Sequence, residues 1–72
     1  MPYVNVKITR EGATAEQKAA VIEGVTDVLV GVLNKDPATT FVVIEEVELD
    51  SWGIAGLPAR EFRRSKAGAD LS

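Results

Sequence analysis

The sequence predicts an α/β (α+β) fold: a single β-α-β subunit with parallel strands and a short C-terminal element, used as an oligomer. Three patterns and one absence carry this expectation. Period-two alternation over residues 2–9, a helical apolar stripe from about Ala15 to Leu33 and a β-branched run from Thr39 to Val47 follow one another directly. A strand–helix–strand crossover is right-handed in nearly all cases and sets its two strands parallel and adjacent. The absence is of any staple. A 72-residue chain buries only about 60% of its unfolded surface, so small scaffolds add disulfides, a metal or partner subunits. This chain has neither Cys nor His. Partner subunits remain, and a composition that is 46% hydrophobic suits them.

The elements follow in order. Val4, Val6 and Ile8 share one face of the first strand, and Tyr3, Asn5, Lys7 and Thr9 share the other. After the break at Arg10–Ala13, Thr14 with Gln17 three residues later forms a capping box, and Glu16 suits the positive end of the helix dipole. Val21, Ile22, Val25, Val28, Leu29, Val32 and Leu33 recur at three- and four-residue spacing as one wide stripe. Asn34-Lys35-Asp36-Pro37 ends the helix, because proline disfavours helical geometry in the residue before it. Phe41-Val42-Val43-Ile44 is apolar on both faces, as a strand covered on both sides requires. One helix covers only one face of a two-stranded sheet, so the other is expected to meet a neighbouring subunit. Residues 50–58 mix glycines with Trp52, Ile54 and Leu57 and read as a short hairpin or loop leaning on that neighbour. The core spans about residues 2–58 of one domain. From Ala59 the tail is polar and basic, helical at first and frayed after Lys66.

Composition excludes several chemistries. Without Cys or His, a Ser-His-Asp triad, a Cys–His pair and the usual zinc and copper ligand sets cannot form. An acid–base catalyst must be a carboxylate, lysine, tyrosine or terminal amine. A net charge of −3 argues against a nucleic-acid partner. Arg60, Arg63 and Arg64 read instead as a solvated or inter-subunit basic edge. No apolar run approaches the ~20 residues of a membrane span and no signal-peptide pattern opens the chain, so the cytoplasm is the expected location. Glu45, Glu46, Glu48 and Asp50 read as a solvated strand end, since their spacing fits no metal loop. Gly53 and Gly56 lack the lysine and the strand–turn–helix context of a phosphate loop.

Pro2 is the residue with the most distinctive chemistry. A small penultimate residue allows the initiator Met1 to be removed, and Pro2 then carries a free secondary amine that titrates near neutral pH. The structural alternative is a proline tolerated at the first residue of a strand. Trp52, in its glycine-bounded loop, suits a subunit interface or the wall of an apolar pocket. Arg10, at the end of the first strand, is a candidate for an anionic substrate.

Taken together, Pro2 at the head of a strand, Glu16-Gln17-Lys18 at the helix start, the strand from Pro37 to Val47 and the stretch Trp52-Gly53-Ile54-Ala55-Gly56 resemble the 4-oxalocrotonate tautomerase family over residues 2–57. The last segment is similar to that family's aromatic-Gly-Ile-Gly-Gly. The resemblance implies a terminal hairpin and a homohexamer of dimers in threefold arrangement. It implies cofactor-free keto–enol chemistry on a small molecule, with Pro2 as general base and Trp52 supplied by a neighbouring subunit. Two departures bear on substrate. Dicarboxylate-converting members carry one arginine just after the first strand, where this chain has Gly12-Ala13, and another early in the second, where Phe41 or Val42 stands. Arg10, Phe41, Trp52 and Ile54 are the expected substrate contacts, with an unsaturated 2-oxo acid or related enol as substrate. The same scaffold would also serve hydration, dehalogenation or decarboxylation, or a non-enzymatic oligomeric module in which Pro2 is structural.

Overall fold

Strand β1 (Tyr3–Thr9) and strand β2 (Phe41–Val47) pair in parallel, in unbroken register from Tyr3 opposite Phe41 to Thr9 opposite Val47. Helix α1 (Ala15–Leu33) makes the crossover between them. A 3-10 turn (Pro37–Thr39) leads into β2 and another (Leu49–Ser51) leaves it. A two-residue hairpin of β3 (Gly53–Ile54) and β4 (Leu57–Pro58) follows, then helix α2 (Ala59–Leu71). The structure, a computed structural model, describes residues 1–71, with side chains described as far as Lys66. The tail was expected to fray after Lys66, whereas α2 continues to Leu71.

The capping box forms as expected. The Gln17 amide donates to Thr14 Oγ1 at 3.1 Å, and the Thr14 amide donates to Gln17 Oε1 at 2.9 Å. At the other end, Asn34 adopts the left-handed conformation (φ 56°) that commonly closes a helix, so the turn is complete before Pro37 is reached. Pro37 instead opens the first 3-10 turn, where its missing amide is no loss. The Ala38 amide donates to Asp36 Oδ1 at 2.9 Å and Thr40 Oγ1 to the Asp36 carbonyl at 2.9 Å. These bonds curl residues 37–39, so β2 starts at Phe41 rather than at Thr39.

Register divides the sheet into two faces. Val4, Val6 and Ile8 of β1, with Val42 and Ile44 of β2, face α1 and are half-buried. Tyr3, Asn5, Lys7, Phe41, Val43 and Glu45 face away from it. Within the subunit β2 is therefore covered on one side only: Phe41 is 49% exposed and Val43 41%. The helical stripe is likewise wider than the sheet beneath it. Val25, Leu29 and Val30 are half-buried, whereas Val21, Val28, Leu33 and Val32, at 76%, are exposed. Among the described residues only Ala59 is buried. The radius of gyration is 16.5 Å, against about 11 Å for a compact chain of this length. The described residues of one subunit enclose no core of their own.

The arginines of the basic tail stay exposed, as a solvated edge requires, and two of them pair with carboxylates of the same subunit. Arg60 Nε lies 3.3 Å from Asp50 Oδ1, and the Arg63 guanidinium grips both Glu11 oxygens, Nη2 to Oε2 at 3.2 Å. Arg63, with Thr9 also donating, holds the Glu11 carboxyl down at about 2, from an ordinary 4.5. A carboxyl lowered on folding adds stability above its unfolded value and loses it as pH falls through the folded one. The tie from α2 to the β1–α1 loop should therefore persist through mild acid and release between pH 4.5 and about 2. Following the Glu11 carboxyl carbon by NMR checks this, and a midpoint near 4.5 would mean the pair does not form in solution.

Candidate functional site

Pro2 stands immediately before β1, where no ladder bond asks for the amide hydrogen it lacks. Its carbonyl accepts from the Phe41 amide at 3.0 Å, which pins it beside the start of β2. Pro2 is half-buried, while Met1 beyond it is 87% exposed. Removing Met1 would therefore disturb no packing and would uncover the Pro2 nitrogen. Tyr3 and Phe41, opposite each other in register, extend from Pro2 along the face turned away from α1. Asn5 Nδ2 donates to Glu45 Oε1 at 2.9 Å and Tyr3 Oη at 3.2 Å, while Asn5 Oδ1 is buried without a partner.

The other sequence-predicted residues gather at the opposite end. The Arg10 amide donates to the Val47 carbonyl at 2.8 Å and extends the ladder by one bond. Its guanidinium Nε lies 2.8 Å from Glu48 Oε1. Trp52 closes the second 3-10 turn through its amide to the Leu49 carbonyl at 3.3 Å. Its own carbonyl accepts from Ala59 at 2.6 Å. The hairpin turns through Ala55 (φ 54°) and Gly56 (φ 84°), the left-handed pair of a type I′ turn. Trp52 and Ile54 are both half-buried on the subunit.

The seven residues of β1, at about 3.3 Å each, put roughly 20 Å between these two groups. Within one subunit Pro2 lies a strand's length from Arg10, and Trp52 and Ile54 follow the turn that leaves the far end of β2. The concavities of a single subunit repeat the point. A cavity of about 60 Å³ between α1 and the sheet has room for little more than water, and an open groove runs beside Thr9, Glu11 and Gly12. Neither is lined by Pro2. Each subunit presents two halves of the predicted set, one at each end of its sheet.

The acidic stretch resolves into separate pairs. Glu45 is held below the usual carboxylate range by Asn5 and then Lys7, and Glu46 by Lys18, with Arg10 adding to it. The Lys18–Glu46 pair is part-buried and ties α1 to β2. Glu48 and Asp50 lie against Arg10 and Arg60. Among the described residues no three Asp or Glu side chains are arranged to hold a metal ion. Ionised and hydrogen-bonded, Glu45 and Glu46 make weak bases near neutral pH. Sequence reading missed the Lys18–Glu46 and Glu11–Arg63 pairs. No local signal marks them, because the partners lie 28 and 52 residues apart.

The sequence model of the tautomerase enzyme family matches residues 2–61. A probable tautomerase of Dickeya dadantii is 56% identical over 64 residues, covering 89% of this chain and 96% of its own. The 2-hydroxymuconate tautomerase of Pseudomonas putida is 42% identical over 64 residues, covering 89% of this chain and all of its own. The crystal structure of DmpI from Helicobacter pylori superposes with a TM-score of 0.83 at 42% identity, over 88% of this chain and 97% of that one.

Proposed function

Because the chain belongs to the tautomerase family, as an isomerase of that class, we propose that Pro2, freed of Met1, is the general base of a cofactor-independent keto–enol conversion. The observation that carries this reading is the setting of Pro2. It is half-buried at the open end of the sheet, anchored through its carbonyl and capped only by an exposed methionine. Glu45 and Glu46, meanwhile, are committed to other partners. The unprotonated amine takes the proton from an enol hydroxyl. As the oxygen becomes a carbonyl, the electron pair of the adjacent C=C moves along the conjugated system, and the same proton is returned to a carbon of that system. The amine ends as it began. Trp52 and Ile54 of a neighbouring subunit wall the pocket, disfavour the ammonium form by desolvation and lower the amine toward working pH. Arg10 of that neighbour steadies the developing enolate.

The substrate class follows from charge. With Gly12-Ala13 and Phe41-Val42 where family arginines bind two carboxylates, the pocket is suited to a monoacid enol of the phenylenolpyruvate type. Charge-assisted contacts contribute about 1.5–3 kcal/mol each, so kcat/KM for a dicarboxylate enol such as 2-hydroxymuconate should be lower by roughly tenfold to a hundredfold. Parallel ultraviolet assays on the two enols test this. A clear preference for the dicarboxylate would show that another cation has taken over the second carboxylate.

A further inference from the structure

Three arginine–carboxylate pairs meet at the end of the sheet that carries Arg10 and Trp52, and together they close a ring. Arg10–Glu48 joins the end of β1 to the turn after β2. Arg60–Asp50 joins α2 to that same turn. Arg63–Glu11 joins α2 to the β1–α1 loop, completing the circuit. The match to the family ends at residue 61, so the closing arginine stands beyond it, on the second turn of α2. Gly12 (φ 89°) directs the loop just after Glu11, a conformation that favours glycine. At its base, α2 holds the Trp52 carbonyl through the amide of Ala59, the one buried residue among those described.

We infer that α2 positions the Trp52 end of the site, and that the Arg63–Glu11 contact sets where α2 sits. This rests on the functional reading above for what Trp52 does, though not for where it lies. Exposed ion pairs usually add little stability, and bidentate or networked pairs are the exceptions. Here the pair is bidentate, and its effect is geometric. Without it, α2 is held at its base by the Ala59 amide and Arg60, and a small pivot there moves Trp52. Arg63 touches no reacting group and is a positioning residue.

Trp52 is the sole tryptophan of the chain, so its fluorescence reads its surroundings directly. In the Met1-processed protein at unchanged oligomeric state, Arg63→Met should shift Trp52 emission to the red and make it easier to quench with acrylamide. The same change should raise KM about fivefold to tenfold with kcat nearly held, since it loosens substrate placement rather than the proton transfer. The inflection of the pH–rate profile, which belongs to Pro2, should stay in place. Arg63→Lys should fall between, because lysine keeps the charge and loses the fork. Exchanging the pair, Glu11→Arg with Arg63→Glu, should restore both readings. Unchanged emission and KM in Arg63→Met, or a drop in melting temperature alone, would overturn the inference. Should the wild type show no Pro2-dependent conversion, the functional reading fails, and the emission of the two Arg63 variants still decides the role of α2.

Discussion

A form of the protein in which any residue remains joined to the Pro2 nitrogen should lose enol–keto conversion while keeping its fold and assembly. The chemistry is a difference of bonding at one atom. With Met1 attached, the nitrogen is a tertiary amide with no usable basicity; without it, the nitrogen is a secondary amine. General-base catalysis by a positioned group contributes about 10²–10⁴-fold, and that is the expected loss in kcat. Met1 is 87% exposed and the carbonyl of Pro2 stays bonded to Phe41, so retention leaves packing untouched. Pro2→Ala, once processed, still presents an amine, primary and less constrained, and should keep part of the activity. In the processed wild type, activity should rise with pH as the ammonium loses its proton, with an inflection below the ~7.7–8.0 of an unperturbed terminal amine. Intact mass verifies which form is present. If processed and Met1-retaining proteins convert the enol equally well, Pro2 is not the base. Glu46 is then a poor successor, because Lys18 holds it ionised, and the search moves to Lys7 or Tyr3.

The second large effect concerns assembly. Sedimentation at micromolar concentration should show a species near six chains and no folded monomer, because a subunit with only Ala59 buried among its described residues has little to hold it together alone. Val43→Asp is the sharpest test. Val43 lies on the sheet face turned away from α1, 41% exposed on the subunit and in register with Asn5. A carboxylate there, on the same face as Glu45, would be forced into the contact between subunits without a partner. Burying an unpaired charge costs on the order of several kcal/mol at each copy, enough to dissolve the assembly and unfold the chain. Melting temperature in the wild type should rise with protein concentration, as it does when folding and association are linked. A Val43→Asp protein that stays folded and still assembles as the wild type does would show that this face is solvent-facing and that assembly uses another surface, such as the exposed flank of α1 around Val28 and Val32.

What the sequence disclosed and what it withheld divide along one physical line. Period-two alternation and the Thr14–Gln17 box located β1 and the start of α1 because those signals are local and each has a single structural solution. The end of α1 was legible too, although the left-handed Asn34, and not Pro37, closes it. The start of β2 was misplaced because Thr39 and Thr40 have the propensity of a strand, while Asp36 and Pro37 impose a turn through hydrogen bonds. The helical stripe announced an amphipathic helix but could not say how much of its width one subunit would cover. The ring of ion pairs was invisible: Glu11 and Arg63 are 52 residues apart, and nothing in either neighbourhood points to the other. Pro2 and Trp52 were legible as candidates from their residue types and settings, and that they stand at opposite ends of one sheet follows only from strands running parallel.

That separation changes how damage and divergence would be inherited. On the proposed site, a chain blocked at Pro2 still offers a sound Trp52 end to its neighbour, and a chain crippled at Trp52 still offers a sound base. Two inactive chains, refolded together, can therefore rebuild working sites in trans wherever the good half of one meets the good half of the other. A duplicated gene could let each copy erode a different half, and neither product would then function without its sibling.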